Sequence, residues 1–217
     1  IRDRFFDTTF LLAGYLAKID GRVSEAEIAH AQEMFKRLGL DVEQRKRAIE
    51  KFKEGSGAGF DVDPVIAEFI ETCGTQPQLV RMLLVFLISQ AHADQNMEQA
   101  EREALTRIAQ KFGVSAAELA RLISMAQAQG RFEAGGASGA GASGETSIEA
   151  AYAALGIAPD VDDKALKRAY RKLMSEHHPD KLIAKGLPES MVKVATERSQ
   201  EIQSAYEMIR KARGIHR

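Results

Sequence analysis

The chain has 217 residues, 45% of them hydrophobic, enough for one large or two small packed domains and too apolar for a disordered tail. Lys and Arg number 30 against 31 Asp and Glu, a formal net charge of -1, so any surface for an acidic partner has to come from local segregation of charge. The single cysteine, Cys73, excludes an internal disulfide; its flanks "FIETCGTQ" supply no thiol or imidazole cluster, so it reads as a small buried side chain in a reducing compartment.

The chain opens "IRDRFF" with no methionine and no signal peptide, which is expected of a piece cut from a longer protein. From Ser24, "SEAEIAHAQEMFKRLGL" begins with a capping box, Ser24 and Glu27. It carries Ile28, Ala31, Phe35 and Leu38 at helical spacing and stops at Gly39. Asp63 before Pro64 predicts another helix start. The run "LVRMLLVFLIS" from Leu79 contains Arg81 and is about half the roughly 20 residues a bilayer span needs, so it predicts a central buried helix. "SAAELARLISMAQ" repeats the capping box with Ser115 and Glu118.

A shift of 74 residues superposes Ala17 on Ala91, Asp20 on Asp94, Glu27 on Glu101 and Gly39 on Gly113. The repeat predicts two related helical hairpins packed about a pseudo-twofold axis. Asp20, Glu25, Asp94 and Glu98 suggest a calcium loop, but Gln99 and Leu105 stand where an EF-hand needs Gly and Glu, and Arg22 spoils the first copy. These acids are read as helix caps that complement the dipole.

Residues 133–145, "EAGGASGAGASGE", offer nothing large to bury and predict a flexible linker between a domain at 1–132 and a second at 146–217. "TSIEAAYAALGI" then predicts a short helix, capped by Thr146 and Glu149 and ended by Gly156. The next helix starts at Asp162 and Asp163 and carries Leu166, Ala169, Tyr170, Leu173 and Met174 on one stripe. Its partner is expected from Pro188, with Met191, Ala195, Ile202, Ala205, Tyr206 and Ile209 facing back to make an antiparallel hairpin. No period-two run occurs, so the fold class is all-α.

Two features of the second domain point outward. Lys164, Lys167, Arg168, Arg171 and Lys172 fall at steps of 3, 1, 3 and 1 on one helix face, with no acidic residue between Lys164 and Glu176. An ordinary solvated face intersperses acids, so this one reads as a docking surface. At the end of that helix stands "EHHPDKL". Pro179 disfavours a helical conformation at His178, so the helix must end near His177 and present His178, Pro179 and Asp180 at an exposed tip. His30, His92 and His216 lie in other segments and do not complete a metal site. The tip also lacks a nucleophile, oxyanion donors and a pocket, so neither a metal, a cofactor nor a catalytic residue is expected there.

"AYRKLMSEHHPDK" on a basic helix, followed by "QEIQSAYEMI" on a return helix, resembles the J domain of DnaJ-type co-chaperones, over about a third of the chain. The N-terminal repeat resembles the TerB-like helical domain. This order of domains, with the "LMSEHHPDKLIAKGLP" run, is similar to the DjlA-type membrane-anchored DnaJ-like co-chaperones. The resemblance implies a non-enzyme that recruits a DnaK-type chaperone and stimulates its ATP hydrolysis. His178, Pro179 and Asp180 would trigger hydrolysis. Lys167, Arg168, Arg171 and Lys172 would dock on the ATPase domain, with Lys164 and Lys181 extending the patch. Leu166, Tyr170, Leu173, Ala205 and Tyr206 would be core.

It further implies an N-terminal transmembrane anchor absent from this chain, a place on the cytoplasmic face of the bacterial inner membrane, association through that anchor as a homodimer, and a link to envelope stress. The chain departs from the wider family in having no Gly/Phe-rich region and no cysteine repeats for zinc, so the N-terminal domain is expected to choose clients or to self-associate. The alternative from another class is nucleic-acid binding through the basic helix 164–172. It has charge but few exposed aromatics, and the net charge opposes it. A phosphohydrolase built on the histidine pair is the weakest reading.

Overall fold

The computed structural model describes residues 1–19, 35–36, 38–74, 76–91, 97, 99–137 and 144–215. Among these residues every regular element is helical. In chain order they are α1 (Arg2–Ala17), α2 (Val42–Gly55), α3 (Val62–Cys73), α4 (Pro77–Ala91), α5 (Gln99–Lys111), α6 (Ala116–Ala137), α7 (Gly144–Ala154), α8 (Asp163–His177), α9 (Pro179–Ala184), a 3-10 turn (Glu189–Met191) and α10 (Val192–Ala212).

The first half is built around α1 and α4. α1 packs on α2, α3, α4 and α5 and buries Phe5, Phe6, Phe10, Leu12 and Leu16. α4 is the apolar run of the sequence and is buried nearly all round, from Leu79 to Ala91. Phe10 meets Phe86 edge-on at 6.2 Å, Phe5 meets Phe69 at 6.0 Å, and Phe69 meets Phe112 edge-on at 5.2 Å, so aromatic contacts tie α1, α3, α4 and the turn after α5 into one core. Cys73 is fully buried there, and burial pushes its thiol pKa up, as a structural cysteine should behave.

Two glycines set how closely α1 and α2 approach. A Cβ on Gly14 would lie 2.0 Å from the Phe52 carbonyl oxygen, and one on Gly55 would lie 1.9 Å from that of Leu11. Arg47 closes the same seam, donating to both carboxylate oxygens of Asp7 at 2.7 and 2.9 Å and to Asp3 at 2.8 Å.

The 74-residue shift is visible in the boundaries: α1 ends at Ala17 and α4 at Ala91, and α2 begins at Val42 and α6 at Ala116. The paired glycines both adopt a left-handed backbone, Gly39 at φ 64° and Gly113 at φ 75°. Phe35 and Leu38 are buried as expected. The capping pair Ser24 and Glu27, and the acids Asp20, Glu25, Asp94 and Glu98, lie outside the described residues.

Several boundaries differ from the sequence reading. α3 is capped by Asp61, whose side chain accepts from the Asp63 amide, two residues before the cap expected at Asp63. α7 starts at Gly144, ahead of the expected cap at Thr146. α6 continues to Ala137, so 133–137 and 144–145 of the expected linker are helical. Pro188 caps the 3-10 turn rather than opening the long helix, which begins at Val192.

In the second half α7 runs back along α6. Met125 of α6 joins Ala151, Leu155, Leu166, Leu173, Ile202, Ala205 and Ile209 in the second core, and Gly156 sits against Arg121 and Met125. Met191 and Ala195 were expected to face α8. Together with Leu182 and Leu187 they are buried instead in the core of the first half. The segment after the His-Pro-Asp tripeptide therefore packs on the N-terminal helices.

Candidate functional site

α8 is held rigidly at its base. Asp162 caps it, accepting from the Ala165 amide at 2.6 Å. Arg213, from the turn after α10, donates to Tyr152 Oη at 2.6 Å, to Asp163 at 2.9 Å and to the Pro159 carbonyl at 2.9 Å, which raises its pKa. Along the hairpin Leu166 and Leu173 face Ile202, Ala205 and Ile209, and half-buried Tyr170 stacks on Tyr206 at 4.1 Å with an interplanar angle of 11°.

The opposite face of α8 is the basic one. Lys164, Lys167, Arg168, Arg171 and Lys172 are all exposed. At 100° per residue they span an arc of about 140° and a length of about 12 Å. Such a surface concentrates positive potential without internal neutralisation.

At the tip, His178 is at once the C-cap of α8 and the N-cap of α9. Pro179 takes the first helical position of α9, where its missing N–H costs nothing. The Nδ1 of His178 accepts the Asp180 amide at 3.2 Å, which fixes the turn and occupies the ring's lone pair. The Asp180 side chain is 85% exposed, with a carboxylate oxygen 4.0 Å from His178 Nδ1. Lys181 Nζ donates to Ser175 Oγ at 2.6 Å, which lays Lys181 beside the end of α8. The nine residues expected to trigger or dock thus lie on α8 and the start of α9, with Lys164, Lys167, Arg168, Arg171, Lys172, Asp180 and Lys181 exposed and His178 and Pro179 half-buried.

The neighbouring histidine behaves differently. His177 is 3% exposed, and its pKa is pushed down to about 3, first by burial and then by the positive charges of Arg198 and Arg81. Its carbonyl accepts from Ser199 Oγ at 2.9 Å, satisfying one open acceptor at the end of α8. Arg198 is itself 4% exposed, its pKa lowered by burial to about 10, and it pairs with Glu201 at 3.3 Å.

Four further residues, Arg81, Gln78, Lys185 and His177, were missed from the sequence. Arg81 of α4 donates to Glu118 at 2.8 Å and reaches Glu176 at 3.5 Å. Lys185 donates to Gln78 Oε1 at 2.9 Å. For His177 a signal was present, since it continues the Leu166, Leu173 stripe by one four-residue step. For Arg81 and Gln78 there was none, because their partners lie far along the chain.

Among the described residues no cluster of His, Cys, Asp and Glu could hold a metal. A groove of about 480 Å³, lined by Lys164, Lys167, Leu166, Tyr206 and Arg210, opens at the base of the hairpin and away from the tripeptide.

Comparison with known proteins fits this geometry. The family described as "Tellurite resistance protein TerB" matches residues 7–124, and the family described as "DnaJ domain" matches 150–214. A co-chaperone protein DjlA from Vibrio cholerae is 38% identical over 99% of this chain and 80% of its own length. Proteins of the same name from Aliivibrio fischeri (38%, over 97% of this chain and 79% of its own) and Vibrio parahaemolyticus (39%, 99% and 80%) are equally similar. The chain belongs to the DjlA co-chaperone family. No solved structure matches it.

Within this DjlA-family chain the exposed basic face and the tripeptide fall inside the DnaJ-domain match, while Arg81 and Gln78 fall inside the TerB match. No helix among the described residues is long and apolar enough to cross a membrane.

Proposed function

We propose that this chain recruits a DnaK-type chaperone and stimulates its ATP hydrolysis, with the hydrolytic chemistry performed by the chaperone. The observation that carries the reading is the exposed basic row Lys164, Lys167, Arg168, Arg171 and Lys172 on α8, followed at its end by half-buried His178 and Pro179 and by exposed Asp180 and Lys181. The basic residues steer and hold an acidic surface of the ATPase domain. Pro179 and the His178 cap present the Asp180 carboxylate in a pre-ordered position, so little entropy is lost when a charged donor meets it. No residue of the chain is assigned a catalytic role, and no cofactor is required.

Residues 1–132 and 146–217 are assigned to two domains, with 133–145 between them; the family matches at 7–124 and 150–214 support that division. The first domain selects clients or mediates association. The protein acts at the cytoplasmic face of the bacterial inner membrane, in the response to envelope stress.

The test is ATP hydrolysis by a DnaK-type chaperone with increasing amounts of this protein. The expected result is saturable stimulation whose half-saturating concentration rises with salt. A polynucleotide shifted at low salt, with no stimulation, would favour the basic helix as a nucleic-acid surface instead.

A further inference from the structure

The segment carrying the tripeptide is fastened to the first domain on both sides. Before it, Glu176 reaches Arg81 at 3.5 Å; after it, Lys185 donates to Gln78 at 2.9 Å. Gln78 and Arg81 are three residues apart on α4, so they share one helix face. Between these two ties Leu182 is fully buried in the first-domain core, and Leu187, Met191 and Ala195 follow it there. Gly186, at φ 102°, approaches the chain start so closely that a Cβ would lie 2.4 Å from Ile1 Cγ2.

Glu176 has a second reason to need this contact. It stands in the last turn of α8, where the helix dipole disfavours an acid, and its side chain is only 18% exposed. Arg81 supplies the opposing charge, and Glu118 of α6 holds Arg81 in place at 2.8 Å. A helix of six residues cannot hold its own orientation in water. α9 is oriented by what it is docked on.

We infer that Arg81, with Gln78, is a positioning residue for the tripeptide: the TerB-like domain fixes the angle at which Asp180 is presented relative to the basic face of α8. This rests on the co-chaperone reading above. It assigns the first domain a part in triggering itself, beyond client choice. The basic face lies on α8 between Lys164 and Lys172, ahead of Glu176, and α8 is backed there by α10, so docking strength should not depend on Arg81, whereas the trigger geometry at the end of α8 should.

The test compares the whole chain with Arg81→Ala, Arg81→Lys and Glu118→Gln in the stimulated ATPase assay, and follows amide exchange of residues 179–187. Arg81→Ala is expected to lower the maximal stimulated rate about tenfold, the scale of a small misplacement of a reacting group. Its half-saturating concentration should be unchanged, and exchange at 179–187 should be faster. Arg81→Lys keeps a charge within reach of Glu176 and should retain most of the rate. Glu118→Gln should fall between the two. A general loss of folding would move rate and half-saturation together and would show in circular dichroism.

An Arg81→Ala maximal rate equal to that of the intact chain would overturn the positioning role while leaving the co-chaperone reading intact. A higher rate would also overturn it, since the contact would then be a restraint. If the intact chain gives no stimulation, the co-chaperone reading fails, and unchanged exchange at 179–187 in Arg81→Ala then overturns the docking role as well.

Discussion

Asp180 and His177 are three residues apart and meet opposite surroundings, one 85% exposed and the other 3% exposed. The sequence separates them only through helical phase: Leu173 is followed four residues later by His177, which rotates that ring inward, while Pro179 turns the chain outward immediately afterwards. A neutral His177 faces Arg198 from α10 and Arg81 from α4, with Glu176 and Glu201 nearby. Its pKa of about 3 in the folded chain lies below the ordinary value of 6.5. The unfolded chain therefore takes up the proton first as pH falls, and stability is complete above pH 6.5 and declines toward pH 3. The slope is about 1.4 kcal/mol per pH unit, so roughly 2 kcal/mol is lost by pH 5. Urea unfolding at pH 7 and pH 5 measures it. His177→Leu is expected to remove most of the difference, whereas an unchanged slope in that variant would assign the effect to other groups.

At the scale of elements, α8 was the most legible part of the chain. Its start at Asp162, its stripe and its end at His177 all follow from local chemistry, as does the left-handed stop at Gly156. Elements decided by distant contacts were not legible. α9 is one such case, since only docking of Leu182 on the first core makes a six-residue helix persist. The start of α3 at Asp61 is a nearer miss, since both aspartates offer a cap and the structure uses the earlier one. Two predictions belong here. Arg168→Ala with Lys172→Ala should raise the half-saturating concentration for chaperone stimulation severalfold and flatten its salt dependence, with the maximal rate retained. An equal salt slope would place docking elsewhere. Gly14→Ala forces a Cβ into the Phe52 carbonyl and should destabilise by about 1–3 kcal/mol, read from the urea midpoint, despite alanine's better helix propensity.

At the scale of the whole molecule, the alanine- and glycine-rich stretch suggested two independent bodies, and composition can suggest no more than that. The fold joins them: Met125 of the first half lies in the second core, and Leu182, Leu187, Met191 and Ala195 of the second half lie in the first. Apolar residues carry no address in the sequence, so Met191 and Ala195 were assigned to the nearer partner. The shared packing predicts that Leu182→Ala, at a cost of about 2–5 kcal/mol, loosens both halves. Amide exchange should rise in α4 as well as in α9, and a rise confined to α9 would show the halves to be energetically separate.

The most direct measurement of the central claim is single-turnover ATP hydrolysis by a DnaK-type chaperone with the intact chain and with Asp180→Asn. The expected result is stimulation by the intact chain and its loss, by tenfold or more, in the variant, with circular dichroism unchanged because a carboxylate 85% exposed supports no core. Equal stimulation by both proteins, or a variant that fails to fold, would contradict the assignment of Asp180 as the trigger.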